Sequence, residues 1–223
     1  MDVVRDRLFA LLEARAFPAR LTFDVPMEPD REQKLIERLR QRDELAFNEV
    51  VGLYQTRVYN LVYRMLGNRE EARDVAQEVF ITVFKAIHLF RGESKFSTWL
   101  YRIATNHCKN RLKYLGRRAV YPKTPLDDLT EREQLESASM STSSTVERPD
   151  RLIEGREVER LLQEALEELD EDHRLLIVLR DVQNLSYQEI AEITQLAEGT
   201  VKSRLHRARA ALRALLVDKG AIE

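Results

Sequence analysis

Apolar residues recur at helical spacing along the first part of the chain, from Asp30 to about Arg118. One stripe runs from Phe47 to Met65 and ends at Gly67, in the sequence GNREEA. The loop sequence FRGES ends a second stripe, which consists of Val75, Val79, Val83 and Ile87. Because residues three or four positions apart share one face of a helix, each stripe predicts an amphipathic helix. Helices with short joints predict a compact bundle.

A third segment, FSTWLYRIATNHCKNRLK, covers residues 96–113 and contains the only Trp and the only Cys of the chain. Ser94 or Ser97 is placed to cap a helix here. An apolar face carries Phe96, Trp99, Leu100 and Ile103, and a separate polar face carries Arg102, Asn106, Lys109 and Lys113. The pattern fits an ordinary helix with a solvated basic face. It also fits a nucleic-acid surface of phosphate-binding cations, base-reading amides and stacking rings.

The character of the sequence changes between Tyr121 and about Asp150. This stretch has three prolines, a Ser/Thr run, few apolar residues and an excess of acidic residues. Such a composition predicts a linker that is disordered when unbound, although it is equally typical of a simple tether. Helical patterning resumes at Arg151, so the predicted fold class is all-α, with two helical domains joined by a flexible acidic linker.

The sequence LSYQEIAEITQLAEGTVKSRLHRARAAL predicts a helix, a turn and a second helix. Ser186 followed by Glu189 forms a capping-box pattern at the first helix. The second helix has a predicted buried stripe of Val201, Leu205, Ala208 and Leu212. Its opposite face carries Lys202, Ser203, His206, Arg207 and Ala210, flanked by Arg204, Arg209 and Arg213. Since cations and hydroxyls on an exposed face suit the DNA major groove, DNA binding is favoured over a generic surface helix.

Composition excludes several classes of protein. A single Cys excludes a disulfide framework or a Cys-based zinc site and fits a reducing cytoplasm. The four His residues are scattered, and neither a Gly-rich phosphate loop nor a metal-ligand spacing is present, so an enzyme, a metal and a cofactor are not expected. No apolar run approaches the roughly 18 residues of a membrane span, and the N-terminus lacks signal-peptide features. The net charge of −2 is unusual for a DNA-binding protein, but acidic and basic segments are separated along the chain.

Four motifs in order give the chain a specific resemblance: RDELAFNEVVGLY, ARDVAQEVFITVFKAI, FRGESKFSTWLYRIATNHCKN and LSYQEIAEITQLAEGTVKSRLHRAR. In this order the chain resembles the extracytoplasmic-function (ECF) class of bacterial sigma factors, the dissociable promoter-recognition subunits of RNA polymerase. The resemblance begins at about Asp30 and leaves residues 1–29 outside it. Met27 lies where family members usually begin, so residues 1–26 are expected to be dispensable for transcription.

The resemblance implies a role for each domain. Region 2, residues 30–118, would bind the β′ subunit of core polymerase and open the −10 element. Residues 119–152 would form a linker that threads the polymerase channels, and region 4, residues 153–220, would read the −35 element. Core RNA polymerase (β′ and β subunits), promoter DNA and an anti-sigma factor are the implied partners, with no small-molecule substrate and no membrane insertion.

The resemblance also implies the site residues. Core docking would use Asp74, Gln77 and Glu78. Contacts with −10 DNA would use Phe96, Trp99, Tyr101, Arg102, Asn106, Lys109, Asn110 and Lys113, with Trp99 mainly in the core and the FRGESKF loop as a pocket wall. Contacts with −35 DNA would use Thr200, Lys202, Ser203, Arg204, His206 and Arg207. The alternative is a two-domain regulator that binds an operator through its helix-turn-helix, without core polymerase.

Overall fold

The computed structural model describes residues 29–120 and 149–222, and these ranges are helical with no strand. The predicted acidic linker, apart from its ends, and the N-terminal extension lie outside the described residues. An N-terminal domain contains helices α1 (Pro29–Arg40), α2 (Glu44–Leu66), α3 (Arg69–Ala86) and α4 (Phe96–Val120). A C-terminal domain contains α5 (Pro149–Glu168), α6 (Glu171–Ile177), a π-helical turn (Val178–Val182), α7 (Tyr187–Thr194) and α8 (Glu198–Asp218).

Local capping sets the joints of the N-terminal domain. The Asp43 carboxylate accepts hydrogen bonds from the first amides of α2, and the Asn68 side chain does the same for α3. Gly67 ends α2 in the left-handed region at φ 75°, a conformation that glycine adopts without a steric penalty. The predicted break at GNREEA is therefore confirmed: Gly67 ends α2, and the next residue, Asn68, caps the N-terminus of α3.

The predicted apolar stripes form the core of this domain. Val50, Val58, Leu61, Val62 and Met65 of α2 are fully buried, as are Val79 and Val83 of α3. Phe96 and Trp99 extend the core at the start of α4, where both rings pack against Phe90. The first turn of α4 is therefore anchored to the N-terminal core by aromatic contacts.

The beginning of α4 is capped differently from the sequence prediction. The Phe96 amide donates a 2.6 Å hydrogen bond to the Glu32 carboxylate, which comes from α1. Ser97 is buried within the helix, and the Ser94 hydroxyl contacts only the Lys95 carbonyl at 3.4 Å. The prediction that Ser94 or Ser97 caps this helix is wrong, because the carboxylate of a distant helix occupies the capping position.

The C-terminal domain confirms the predicted helix-turn-helix. The capping box is complete, because the Ser186 hydroxyl accepts from the Glu189 amide and the Glu189 carboxylate accepts from the Ser186 amide. Gln195 ends α7 in the left-handed region at φ 58°, and α8 begins three residues later. α5 begins at Pro149, inside the stretch predicted as linker, where proline suits the first turn of a helix.

The two domains pack directly on one another, which the sequence did not predict. Helices α2 and α4 contact α5, α6, α7 and the π turn, and the buried apolar residues of both domains form one continuous cluster. Arg64 of α2 and Arg174 of α6 are buried where the domains meet. Within the described ranges, no helix is long and apolar enough to span a bilayer.

Replacing Glu32 by Ala tests the carboxylate cap. The variant should lose about 1 kcal/mol of unfolding free energy, since α4 loses the acceptor for its first amide. The melting temperature should fall by about 2–4 °C for a chain of this size. Glu37→Ala is a matched control, because Glu37 is exposed on the same helix. Equal melting temperatures for the two variants would show that the cap contributes nothing.

Candidate polymerase and nucleic-acid interfaces

The outer face of α3 carries the predicted core-docking residues. Asp74, Gln77 and Glu78 are all exposed, because the opposite face of the helix is packed into the core. Ile81 lies one turn further along this face and is 52% exposed. Acidic and amide groups beside an exposed aliphatic side chain form a surface suited to a protein partner.

His107 connects this face to α4. Its Nδ1 atom lies 3.4 Å from the Glu78 carboxylate, and its Nε2 atom lies 3.0 Å from the Thr82 hydroxyl. The ring is thus held between α3 and α4 rather than directed at solvent. A second link between the same helices is the ion pair of Arg111 with Glu71. Side-chain contacts from two residues of α4 therefore join it to the outer face of α3.

One face of α4 presents polar groups to solvent. Asn106, Asn110 and Lys113 are exposed and lie one turn apart. Within the described parts of the chain, none of the three side chains has a hydrogen-bond or ion-pair partner. Two amides and an ammonium group are thus available for base edges and phosphates.

Other predicted −10 residues are engaged by the C-terminal domain. Arg102 Nη2 donates a 2.8 Å hydrogen bond to the Glu192 carbonyl of α7. Lys109 Nζ donates to the Asp172 carboxylate of α6 at 3.3 Å. Lys95, just before α4, donates to the Glu189 carboxylate at 2.9 Å. Arg102, Lys109 and the preceding Lys95 thus each contact the C-terminal domain.

Burial corrects the expected role of the aromatic residues. Phe96 is 2% exposed and Tyr101 is fully buried, so neither ring presents a surface on which a base can stack in this conformation. Trp99 is partly buried, and the centroid of its ring lies 5.3 Å from that of Phe90, as expected for a mainly core residue. Cys108 is fully buried, and burial raises the pKa of its thiol to about 12.

The FRGES loop forms one wall of an open cleft. The cleft has a volume of about 430 Å³, and its other wall is α1. Gly92 turns the loop with a φ of 77°. Glu32, Glu37, Arg40, Arg91 and Ser94 are among its lining residues. This cleft lies beside the N-terminus of α4, so charged groups of both signs lie next to the first turn of the predicted melting helix.

The predicted recognition helix α8 buries one face and exposes the opposite face, as the sequence predicts. Its stripe of Val201, Leu205, Ala208 and Leu212 is buried, whereas Lys202, Ser203, His206 and Arg207 are exposed. His206 and Arg207 have no ion pair or hydrogen bond among the described residues. Thr200 and Arg204 are half-buried at the edge of this face.

Two of the predicted −35 side chains, Lys202 and Ser203, have partners within α8 itself. Lys202 forms a 2.6 Å ion pair with Glu198, and this hydrogen bond raises the pKa of the ammonium group. The Ser203 hydroxyl donates to the Thr200 carbonyl one turn earlier. Lys202 can therefore contact DNA only in competition with an intrahelical carboxylate.

Arg209 has a structural role. It donates two hydrogen bonds to the Asp181 carboxylate, at 2.5 and 3.1 Å, and only 5% of the Asp181 side chain is exposed. This bidentate pair fixes α8 against the π turn. Arg209 lies beside the predicted DNA face in sequence, but its guanidinium points into the domain.

Sequence comparison identifies the family. The family model of Sigma-70 region 2 matches residues 50–118, and that of Sigma-70, region 4 matches residues 159–212. The ECF RNA polymerase sigma-E factor of Escherichia coli K12 is 41% identical over 181 residues, which are 81% of this chain and 92% of the relative. The chain belongs to the ECF sigma factors. The RNA polymerase sigma-H factor of Pseudomonas aeruginosa is 38% identical over 183 residues, 82% of this chain and 92% of the relative.

Solved structures share the fold of this ECF sigma factor. CnrH in complex with the cytosolic domain of CnrY matches with a TM-score of 0.60 at 21% identity, covering 84% of this chain and 97% of CnrH. The sigma factor RpoE, in complex with the anti-sigma factor NepR from Bartonella quintana, matches with a TM-score of 0.55 at 22% identity. That match covers 76% of this chain and 96% of RpoE. At these identities the likeness concerns the fold.

Family membership establishes the general function. This ECF sigma factor directs promoter-specific initiation of transcription by RNA polymerase, and its family consists of non-catalytic regulatory factors. No group of three or more His, Cys, Asp or Glu side chains in residues 29–120 and 149–222 is arranged to hold a metal ion.

Sequence reasoning missed Ile81 and Asp172. Ile81 had a detectable signal, because it follows Gln77 by four residues and falls off the buried stripe of α3. Asp172 had none, since it contacts Lys109 of α4 and Arg204 of α8 only in the folded chain. Residues that meet across a domain boundary leave no periodic pattern in the sequence.

Replacing Arg209 by Ala tests the structural ion pair. Unfolding free energy should fall by about 2–3 kcal/mol, because the buried Asp181 carboxylate loses its partner; this is less than for a fully buried pair, since Arg209 is 24% exposed. Urea unfolding measures the change. Arg213→Ala removes the same charge from an exposed position on the same helix and should change stability little. A similar loss in both variants would contradict the assignment.

Proposed function

We propose that this ECF sigma factor divides its work among three surfaces. The outer face of α3 docks on core polymerase, the solvent face of α4 opens and reads the −10 element, and the outer face of α8 reads the −35 element. The supporting observation is that each surface exposes polar groups with no partner in the described chain, backed by a packed apolar face.

Core docking is assigned to Asp74, Gln77 and Glu78, with Ile81 at the centre of the contact. An exposed aliphatic side chain supplies apolar burial, while the surrounding carboxylates and amide supply orientation. Because His107 and Arg111 hold α3 to α4, a partner bound to α3 also fixes the position of the melting helix. The docking helix and the melting helix thus move together.

Opening of the −10 element is assigned to Asn106, Asn110 and Lys113, together with Arg102 and Lys109 once these two are released. Strand opening costs a few kcal/mol per unstacked base step. The amides offset this cost by hydrogen bonding to bases that become accessible only after unstacking. Lys109 and Lys113 bind the phosphates of the separated strand, and the cleft beside the FRGES loop receives an unstacked base.

Recognition of the −35 element is assigned to Lys202, Ser203, His206 and Arg207, with Thr200 and Arg204 at the edge. These residues fill the first two to three turns of α8, which is the part of a recognition helix that reaches the major groove. Arg207 is the principal candidate for a base contact, because it is exposed and has no competing carboxylate. The Arg209–Asp181 pair holds the helix at a fixed angle.

The remaining partners follow from these roles. The chain acts in the cytoplasm, where the bacterial chromosome is located. RpoE of Bartonella quintana was solved with an anti-sigma factor, and we assign this chain an inhibitor of the same class. The alternative function, an operator-binding regulator without core polymerase, is not favoured, because both sigma regions are present in one chain.

Combining Asp74→Arg with Gln77→Ala tests the docking surface. Affinity for core polymerase should fall by about tenfold or more, because a reversed charge opposes a complementary surface. The melting temperature should not change, since both side chains are exposed. Glu70→Ala combined with Arg73→Ala, at exposed positions on the same helix, is the control. Unchanged binding in a pull-down with core polymerase would rule out this surface.

Comparing Arg207→Ala with Asn106→Ala tests the division between the two DNA surfaces. Arg207→Ala should weaken promoter binding by about 1–3 kcal/mol, whereas Asn106→Ala should leave closed-complex formation nearly intact and reduce strand opening. A gel-shift assay measures the first effect and permanganate footprinting of −10 thymines measures the second. Ser203→Ala should have a smaller effect than Arg207→Ala, because its hydroxyl already donates within the helix.

A template with a pre-melted −10 bubble separates opening from reading. The bubble should restore little of the Arg207→Ala defect, because that defect precedes opening. Asn106→Ala should remain impaired on the bubble if its amide reads the exposed base. Wild-type footprints for Asn106→Ala on duplex DNA, or normal binding by Arg207→Ala, would disprove the division.

A further inference from the structure

One imidazole of the melting helix contacts a core-docking residue directly. His107 belongs to α4, and its Nδ1 atom lies 3.4 Å from the carboxylate of Glu78 on the outer face of α3. Its Nε2 atom lies 3.0 Å from the hydroxyl of Thr82, one turn further along α3. The His107 side chain is 25% exposed and the Glu78 side chain is 54% exposed. The ring thus contacts one side of the carboxylate, and the other side remains accessible to a partner.

The hydrogen-bonding roles of Thr82 and Glu78 decide which nitrogens of this ring carry protons. A threonine hydroxyl has one proton, and Thr82 donates it to the Glu78 carbonyl at 2.9 Å. The Thr82 oxygen can then only accept, so Nε2 of His107 must carry a proton to donate to it. An ionised carboxylate also only accepts, so Nδ1 needs a proton to face Glu78 favourably. Both ring nitrogens therefore carry protons, and the arrangement selects the imidazolium form of His107.

The charges around the ring also favour a cation. Helix α3 is the element packed against this side of α4. The other charged side chains that the two helices carry within two turns of the contact are Glu71, Asp74, Lys85 and Arg111. Arg111 and Glu71 form an ion pair with each other, so their charges cancel. Asp74 and Glu78 then outnumber Lys85, and a net negative environment favours the protonated imidazole.

We propose that His107 is a positioning residue for core docking, which in its doubly protonated form holds the Glu78 carboxylate in the orientation that core polymerase binds. This inference rests on the proposed function, in which Glu78 belongs to the docking surface. Ordering a flexible side chain on binding costs free energy, so a chain that has already ordered it binds more tightly. Imidazole loses its second proton between about pH 5 and 8, and one of the two contacts then loses its donor. The gain in affinity is therefore present at low pH and is lost as the pH rises.

Nitrogen NMR measures the protonation of this ring in the free chain, without polymerase or DNA. Long-range correlation of ring carbon-bound protons with the two nitrogens distinguishes an imidazolium from either neutral tautomer. At about pH 6 the ring of His107 should show a proton on each nitrogen, with the signal assigned by its absence from His107→Asn. A neutral ring at this pH, with Nε2 accepting from the Thr82 hydroxyl, would overturn the assignment of the imidazolium.

Affinity for core polymerase tests the positioning role. At about pH 6, His107→Ala should bind core polymerase about threefold to tenfold more weakly than the wild-type chain, and at about pH 8 the two should bind alike. Comparing the two chains at the same pH cancels any titration of the polymerase itself. His107→Asn places an amide donor near the position of Nδ1, so it should restore most of the affinity at both pH values. Arg111→Ala is the matched control, because it breaks the other link between α3 and α4 without touching Glu78.

Glu78→Gln separates failure of the positioning role from failure of the proposed function. If this variant binds core polymerase as tightly as the wild-type chain, Glu78 is not a docking residue and the proposed function is at fault. If Glu78→Gln weakens binding but His107→Ala does not, or does so equally at both pH values, the positioning role is excluded. An equal loss of affinity in His107→Ala and Arg111→Ala would show that both residues only hold the two helices together.

Discussion

A guanidinium group remains charged in a protein interior and must find acceptors there, and this constraint governs how the two domains meet. Burial lowers the pKa of both Arg64 and Arg174, yet each side chain reaches acceptors in the opposite domain. Removing either domain would leave acceptors unpaired in the other. The shared apolar cluster around these arginines makes the pair of domains one folded unit, although the chain between them lies outside the described residues.

Helix α4 has three faces, and each lies in a different environment. One face, with Phe96 and Leu100, packs into the N-terminal core, and a second, with Arg102 and Lys109, meets the C-terminal domain. Only the third, with Asn106 and Asn110, is open to solvent. A 25-residue helix has enough surface for two packed faces and one exposed face. Consecutive residues of α4 can therefore lie on different faces. Tyr101 is buried in the core, whereas the next residue, Arg102, contacts the C-terminal domain.

The helix-turn-helix achieves its geometry by local means. A capping box starts α7, a left-handed Gln195 ends it, and the Arg209–Asp181 pair fixes α8 to the π turn. Each device acts within a few residues or between adjacent elements. The exposed face of α8 can therefore vary in sequence without disturbing the scaffold that positions it.

The sequence by itself determined the helices, the joints between them and the buried positions of each of the two domains. Stripes such as Val50 to Met65, the stop at Gly67 and the Ser186–Glu189 box depend on residues within a few turns of one another, so their signals are local. The tertiary structure alone decided that Glu32 caps α4, that Tyr101 is buried, and that Asp172 bridges two helices. These contacts join residues far apart in the chain, and their energies depend on how whole helices pack, which no periodic pattern records.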